Sequence, residues 1–199
     1  DTHGLSEPAW VSALEVLAAN DVEIRIDSRD GYTPTPALSH AILAYNRGRT
    51  DGLADGIVVT PSHNPPTDGG FKYNPPDGGP ASSEATGWIQ DRANEIIANG
   101  MASVRRIPLK TALAQDSTGS YDFLDAYARD LPNVLNLDAV RDAGLKLGAD
   151  PMGGAAVAYY DYIAEMHGLD LTPVNPRVDP TWRFMTLDWH GKIRMDRPS

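Results

Sequence analysis

The 199-residue sequence has no cysteine, which excludes disulfide bonds and thiolate metal sites. It has no apolar run near the roughly 20 residues that a membrane-spanning helix needs, so we expect no membrane partner. Its formal net charge is −10, and its Lys and Arg residues form no basic run. Because proteins hold nucleic-acid phosphates with clustered cations, we expect no nucleic-acid partner either. A cytoplasmic location is the expectation that these absences leave.

The composition that remains is that of a folded domain. Apolar residues make up 41% of the chain and charged residues 22%, with 18 glycines and 16 prolines. These values exclude a disordered tail and a coiled coil, and the length allows one large domain or somewhat more. An anionic ligand would have to be held by a local site, against the field of an acidic protein.

Helix and strand patterns alternate along the first part of the chain. A helix is predicted to begin near Ser6, with Ser6 as its N-cap, and a strand follows over 22–26. A second helix begins at 33–36, and a short apolar strand covers 57–60. This order predicts an α/β fold with a mixed, largely parallel sheet layered with helices. In such sheets, ligands bind beyond the carboxyl ends of the strands.

A second α/β unit is predicted after residue 130. Before it, helices are expected over 84–99 and 121–127, with irregular chain between 101 and 119. After residue 130, the pattern predicts a helix over 137–143, a strand over 145–149, a helix over 155–166 and a strand over 169–174. We therefore divide the chain into a first domain, 1–130, and the start of a second similar α/β domain, 131–199. The second unit is too short to bury a full core.

One serine stands out for chemistry. The run Thr60-Pro61-Ser62-His63-Asn64-Pro65-Pro66 follows the apolar strand directly. Its prolines restrict the loop on both sides, which presents one hydroxyl on a stiff segment and suits chemistry on phosphate. The alternative is an ordinary turn, because Pro-Ser-x-Asn-Pro is also a good turn sequence. A serine needs a base or a metal before it becomes an effective nucleophile.

The polar residues around this serine have two interpretations each. His63 is adjacent to Ser62, so the two side chains should point apart; it is a phosphate contact or a solvated loop histidine. Lys72 follows Gly69-Gly70. It neutralises phosphate oxygens or moves protons, or it is a surface lysine. No Asp-x-Asp-x-Asp metal loop and no glycine-rich nucleotide motif occurs in the sequence.

Two of these segments carry a family resemblance. Residues 60–65 match the signature Thr-x-Ser-His-Asn-Pro at every fixed position, and Gly70-Phe71-Lys72 matches a second element at the expected spacing. On these residues the chain resembles the α-D-phosphohexomutases. Residues 1–9, 73–81 and 181–185 further resemble the bacterial phosphoglucomutase branch of that family.

The resemblance implies a set of roles. Ser62 would be a phosphoserine that exchanges its phosphoryl group with a hexose phosphate, by way of glucose 1,6-bisphosphate, which also serves as primer. Its phosphate would bind Mg²⁺. His63 and Asn64 would bind phosphate and support the loop, with His63 also counted as catalytic. Lys72 would bind phosphate and act as general acid and base.

The departures from the family pattern imply a fragment. The family has four domains, and this chain lacks its Thr-Ser-Gly-x-Arg-Gly, Asp-x-Asp-x-Asp and Gly-Glu-x-Ser loops. We expect part of a phosphoglucomutase, inactive alone. The alternatives are a non-catalytic phosphate-binding module, or a phosphomannomutase or phosphoglucosamine mutase. Arg197-Pro198-Ser199 echoes the family's last phosphate loop and is interpreted as coincidence or a truncation junction. The oligomeric state is not predicted.

Overall fold

The computed structural model describes residues 1–193, and the interpretation of residues 197–199 lies outside that range. It contains both helices and strands. The helices are α1 (Ser6–Ala19), α2 (Thr35–Asn46), α3 (Ser83–Ala98), α4 (Leu109–Leu113), α5 (Phe123–Asp130), α6 (Leu137–Asp142) and α7 (Val157–His167). The strands are β1 (Ile24–Asp27), β2 (Gly56–Val59), β3 (Phe71–Asn74), β4 (Thr118–Tyr121), β5 (Leu147–Ala149) and β6 (Leu171–Pro173).

The strands pair two by two. β1 and β4 are parallel, from Ile24 opposite Thr118, and β5 and β6 are parallel, from Leu147 opposite Leu171. β2 and β3 are antiparallel, with Gly56 opposite Asn74. The α/β class with mostly parallel pairing is confirmed. Within residues 1–193 the strands form three two-stranded sheets rather than one continuous sheet.

Two apolar clusters hold the helices against these strands. The first centres on Leu14 and Ala18 of α1, which pack with Ile24 of β1 and Ala112 of α4. The second joins three helices through the buried residues Ala37, Phe123, Leu124 and Tyr159. Because Tyr159 belongs to α7, the second cluster packs the last helix against α2 and α5.

The prediction of irregular chain over 101–119 is wrong in part. That stretch holds α4, and β4 begins at Thr118. β4 has the sequence Thr-Gly-Ser-Tyr, which shows no apolar alternation, and its partner strand lies about 90 residues earlier in the chain. The local sequence therefore does not indicate β4, because this strand is specified by backbone pairing with a distant segment.

Two predicted helix starts are shifted. The sequence predicts Ser6 as an N-cap, but it is the first residue of α1, its side chain is buried, and Leu5 is the capping residue. The helix predicted from residue 121 begins at Phe123, because the Asp122 side chain accepts a 2.9 Å hydrogen bond from the Asp125 N–H and caps it.

A polar network ties the loop after β1 to α5 and α7. The Arg29 guanidinium donates to both Asp122 carboxylate oxygens over 2.7–2.9 Å and lies 4.8 Å from the centre of the Tyr162 ring. The Tyr162 hydroxyl donates to Asp125 at 2.6 Å. The hydrogen bonds from Arg29 hold the pKa of Asp122 below its usual value.

Within residues 1–193, no helix is long and apolar enough to cross a membrane.

Candidate active site

The serine identified in the sequence lies just beyond the carboxyl end of β2. Val59 ends the strand, Thr60 and Pro61 are buried, and Ser62 is exposed in a turn. We call residues 60–68 the serine loop. The first exposed side chain after β2 is therefore that of Ser62.

The backbone of Ser62 adopts an unusual conformation. Its φ is +69°, in the left-handed region that L-residues other than glycine rarely adopt. The Ser62 N–H donates a 2.9 Å hydrogen bond to the Thr60 hydroxyl. Such a conformation costs about 1–2 kcal/mol, and contacts nearby must offset it.

Gly70 lies so close to the start of the serine loop that no other residue fits. A Cβ atom on Gly70 would lie 2.3 Å from the Thr60 carbonyl oxygen and 3.0 Å from Pro61 Cα. The backbone leading into β3 therefore packs directly against the backbone leading out of β2. Lys72 follows two residues later, opposite Val58 in the antiparallel pair.

The other predicted site residues line the same end of this hairpin. Ser62, His63, Asn64 and Lys72 are all exposed. The Asn64 amide donates at 3.0 Å to the Asp68 carboxylate, so it braces the serine loop from within. Within residues 1–193, the side chains of His63 and Lys72 make no hydrogen bond or ion pair, which leaves both available to a ligand.

Beside the serine loop lies a pair that the sequence did not single out, the half-buried Asp1 and the buried His3. Asp1 Oδ2 accepts a 2.7 Å hydrogen bond from the Thr60 hydroxyl and lies 2.6 Å from His3 Nδ1. His3 Nε2 lies 3.0 Å from the Asn64 carbonyl oxygen. Each nitrogen of the His3 ring therefore faces an oxygen atom, one from the Asp1 carboxylate and one from the Asn64 backbone.

A tryptophan from the far end of the chain covers His3. The rings of His3 and Trp182 lie 5.1 Å apart at a 45° tilt, and each residue is only 3% exposed. In the sequence, residues 1–9 and 181–185 stand out only as segments of family likeness. Sequence pattern does not indicate that the two segments touch, since about 180 residues separate the two rings in the chain. The family likeness of both segments is the one sequence feature that marks them.

One further ionisable group lies on β3. The Tyr73 hydroxyl donates a 2.8 Å hydrogen bond to Asp55, and this bond to a carboxylate raises the pKa of Tyr73. Tyr73 is thereby kept neutral and fixed at the start of β2. It braces the hairpin at the end opposite to the serine loop, because Gly56 pairs with Asn74 there.

Comparison with known proteins identifies the family of this chain. Residues 1–99 match the family model for domain I of the phosphoglucomutases and phosphomannomutases, which is described as an alpha/beta/alpha domain. The matched range contains the whole serine loop, Gly70 and Lys72. The chain belongs to the phosphoglucomutase/phosphomannomutase family. The expected family membership is confirmed.

Relatives in this family match far more than the first 99 residues. A phosphoglucomutase of Komagataeibacter xylinus is 54% identical over 98% of this chain. Phosphoglucomutase 1 of Saccharomyces cerevisiae is 30% identical over 72% of it. This chain spans 35% of the length of the first of these proteins and 28% of the second.

Solved structures share the fold. A structure from Thermus thermophilus, described as a candidate phosphomannomutase, superposes with a TM-score of 0.70 at 24% identity, over 92% of this chain and 38% of that one. Parafusin from Paramecium, a phosphoglucomutase in its open form, gives 0.68 at 19% identity, over 94% and 37%. Because both structures are less than 25% identical to this chain, the similarity shows a shared fold and nothing about function.

The described residues do not make a complete site for the Mg²⁺ that the family resemblance implies. Within residues 1–193, no three side chains of His, Asp or Glu lie close enough together to hold a metal ion. Mg²⁺ takes oxygen ligands in an octahedral shell, usually one or two carboxylates together with phosphate oxygens. Of the residues described, Ser62 is the one whose phosphorylated side chain would supply such an oxygen.

Proposed function

We propose that this chain is the serine-bearing part of a phosphoglucomutase, which interconverts glucose 1-phosphate and glucose 6-phosphate through a phosphorylated Ser62. The observation that carries the proposal is the exposed Ser62 hydroxyl on a turn of fixed backbone, at the carboxyl end of β2. The side chains of His63, next to Ser62 in the loop, and of Lys72 on β3 are exposed as well. A fixed loop lowers the ordering entropy that a reacting group would otherwise lose.

The reaction assigns a task to each of these residues. The bond from phosphorus to Ser62 Oγ breaks as a bond to a sugar hydroxyl oxygen forms, and that hydroxyl gives up its proton. Lys72 takes this proton and passes it to the departing Ser62 Oγ. When the other phosphoryl group moves from the bisphosphate to Ser62, Lys72 carries a proton the other way, from Ser62 Oγ to the departing sugar oxygen. In its cationic form Lys72, with His63, neutralises phosphate oxygens, which is the main source of catalysis in phosphoryl transfer.

We propose glucose phosphates as the substrates because the relative with the higher identity is a phosphoglucomutase. The relative at 54% identity is a phosphoglucomutase, whereas a phosphoglucosamine mutase of Burkholderia cenocepacia is 28% identical over 72% of this chain. We further propose glucose 1,6-bisphosphate as primer and Mg²⁺ as the metal of the longer protein. A cytoplasmic location stays a prediction from the sequence.

The experiment uses a chimera in which residues 1–199 replace the matching segment of the Komagataeibacter xylinus phosphoglucomutase. Formation of glucose 6-phosphate from glucose 1-phosphate is measured with Mg²⁺ and the bisphosphate primer, and phosphate on Ser62 is sought by mass spectrometry. We expect turnover in the chimera and none with Ser62→Ala. Ser39→Ala in α2 is the control. Preference for mannose or glucosamine phosphates, or activity without Ser62, would overturn the proposal.

A further inference from the structure

The serine loop is in contact with the His3 side chain, which takes no part in the chemistry proposed above. The His3 ring spans the space between Asp1 Oδ2, at 2.6 Å, and the Asn64 carbonyl oxygen, at 3.0 Å. Asn64 stands two residues after Ser62. Through this contact, a ring that is 3% exposed is connected to the backbone of the turn that presents the nucleophile.

The Asp1 carboxylate also contacts the residue at the start of the serine loop. Asp1 Oδ2 also accepts from the Thr60 hydroxyl at 2.7 Å, and that hydroxyl accepts from the Ser62 N–H at 2.9 Å. Ser62 is therefore bracketed by two hydrogen-bond routes that meet at Asp1, one through Thr60 and one through His3. The left-handed backbone of Ser62 needs such support, because the turn would relax to a commoner conformation without it.

Trp182 packs against the His3 ring. Its ring packs 5.1 Å from that of His3, and its own backbone has a φ of +54°. The loop that carries it is itself fixed, since the Trp182 N–H donates to the Asp179 carbonyl at 2.8 Å. The indole Nε1 is buried and has no hydrogen-bond partner within residues 1–193. Trp182 thus acts on His3 by packing rather than by hydrogen bonding.

We propose that His3 and Trp182 are positioning residues that hold the serine loop in the geometry for phosphoryl transfer, His3 through the Asn64 carbonyl and Trp182 by fixing the His3 ring. The inference rests on the proposed function for its catalytic part. A reacting group displaced by about 1 Å loses on the order of 10²-fold in rate. We therefore expect loss of either contact to lower kcat and leave the KM for the hexose phosphate nearly unchanged.

Two substitutions separate the two hydrogen bonds of His3. His3→Gln places an amide nitrogen near the position of Nε2 and keeps a donor for the Asn64 carbonyl. His3→Asn places its nitrogen near the position of Nδ1 and keeps the donor for Asp1 instead. If the Asn64 contact matters, Gln restores the loop and Asn does not, although both remove the ring. His167→Gln is the matched control, because His167 Nε2 also bonds a backbone carbonyl, that of Ala128, at 2.8 Å.

The first readout is hydrogen exchange of the Ser62 and Asp68 amides in the 199-residue chain. We expect His3→Asn and His3→Ala to speed exchange at Ser62 by at least about tenfold, and His3→Gln to stay within about threefold of the unsubstituted chain. Trp182→Ala should behave like His3→Asn, while Trp182→Phe keeps the ring contact and should change little. Trp189→Ala is the control for Trp182, since Trp189 is 92% exposed.

The second readout is turnover in the chimera described above, with kcat and KM measured separately. We expect kcat to fall about 10²-fold with His3→Asn and Trp182→Ala, and to recover with His3→Gln and Trp182→Phe. Equal exchange and equal kcat for the Gln and Asn variants would overturn the role of His3. An inactive unsubstituted chimera would instead overturn the proposed function, and the exchange measurements would still decide whether His3 and Trp182 position the loop.

Discussion

Ser62 depends on its neighbours at the scale of single residues, because its backbone alone would not choose a φ of +69°. Thr60 accepts from its N–H, and Gly70 lets the neighbouring strand approach the Thr60 carbonyl to a distance that no Cβ would allow. These residues act on backbone atoms rather than on the hydroxyl. The Ser62 side chain is therefore free for chemistry, while its position is fixed by contacts that a substitution at Ser62 leaves in place.

Ser62→Ala should accordingly change stability very little. The hydroxyl is exposed, and the hydrogen bond in which Ser62 takes part uses its N–H, which alanine retains. We expect the free energy of unfolding in urea to stay within about 0.5 kcal/mol of the unsubstituted chain. A loss of several kcal/mol would show that the hydroxyl makes a structural contact and would weaken its assignment as a nucleophile.

Gly70→Ala should be damaging, because its Cβ would meet the backbone of Thr60 rather than a flexible side chain. One of the two strands must shift, and overpacking of this kind costs about 1–3 kcal/mol. The measurement is the urea midpoint, with turnover of the chimera as a second readout.

Gly87→Ala is the control for this prediction. Gly87 lies inside α3, and a Cβ there would meet no atom within 4 Å. Alanine should stabilise that helix by about 0.5–1 kcal/mol. Equal behaviour of the two alanine variants would mean that Gly70 is not pressed against the serine loop in solution.

At the scale of elements, the sequence predicts most of what local pattern specifies. α2, α3 and β2 lie within a few residues of their predicted ranges, and the serine loop follows its apolar strand as expected. β4 was missed because its side chains carry no alternation. The His3 contact was missed for a related reason: its partner carbonyl is 61 residues away, and no local rule joins the two.

The Arg29–Asp122 ion pair gives α5 a pH-dependent contribution to stability. Asp122 has a pKa below the ordinary value of 3.8, chiefly through its hydrogen bonds from Arg29. A lowered folded pKa means that the contribution is complete above about pH 5 and is lost as the pH falls through the folded pKa, below 3.8. Asp122→Asn keeps the cap on α5 and removes the charge. We expect it to cost at most about 1 kcal/mol at pH 7, since the pair is partly exposed.

Urea unfolding at pH 7 and pH 3 checks this expectation. The difference between Asp122→Asn and the unsubstituted chain should shrink at pH 3. Asp138→Asn serves as control, because Asp138 pairs with Arg141 at 2.6 Å but its side chain is 78% exposed, so its effect should stay below about 0.5 kcal/mol. A difference for Asp122→Asn that grows on acidification would contradict a lowered pKa for Asp122 in the folded chain.

At the scale of the whole molecule, the first and last parts of the chain are in contact at several places, and Arg29 over the Tyr162 ring is one of them. Tyr159 of α7 packs in the cluster with Ala37 and Phe123, and Trp182 packs on His3. The residues after 130 are thus connected to the α/β unit that carries Ser62, although two parallel strands of their own would make a poor core. The domain division at residue 130 stays a prediction, and these contacts indicate that the two parts are stable together.

The 199-residue chain by itself should show no mutase turnover. Phosphoryl transfer depends on positioning and on neutralising the charge of the transferring group. Phosphorylated Ser62 would add about −1.5 to −2 charges at pH 7 to a chain whose net charge is already −10. Within residues 1–193, no cluster of carboxylates is available to hold a metal against that phosphate. Loss of one strong electrostatic contributor typically lowers kcat on the order of 10²–10³-fold, and several are missing together.

A coupled assay for glucose 6-phosphate, supplied with Mg²⁺ and the bisphosphate primer, measures this directly. The Komagataeibacter xylinus phosphoglucomutase, of which this chain matches 35%, is the positive control in the same buffer. Turnover in the ordinary enzyme range of roughly 1–10³ s⁻¹ from the 199-residue chain would contradict the prediction. It would mean that Ser62, His63 and Lys72 suffice for transfer, and that the charge of the phosphate is met by groups that the geometry of residues 1–193 does not bring together.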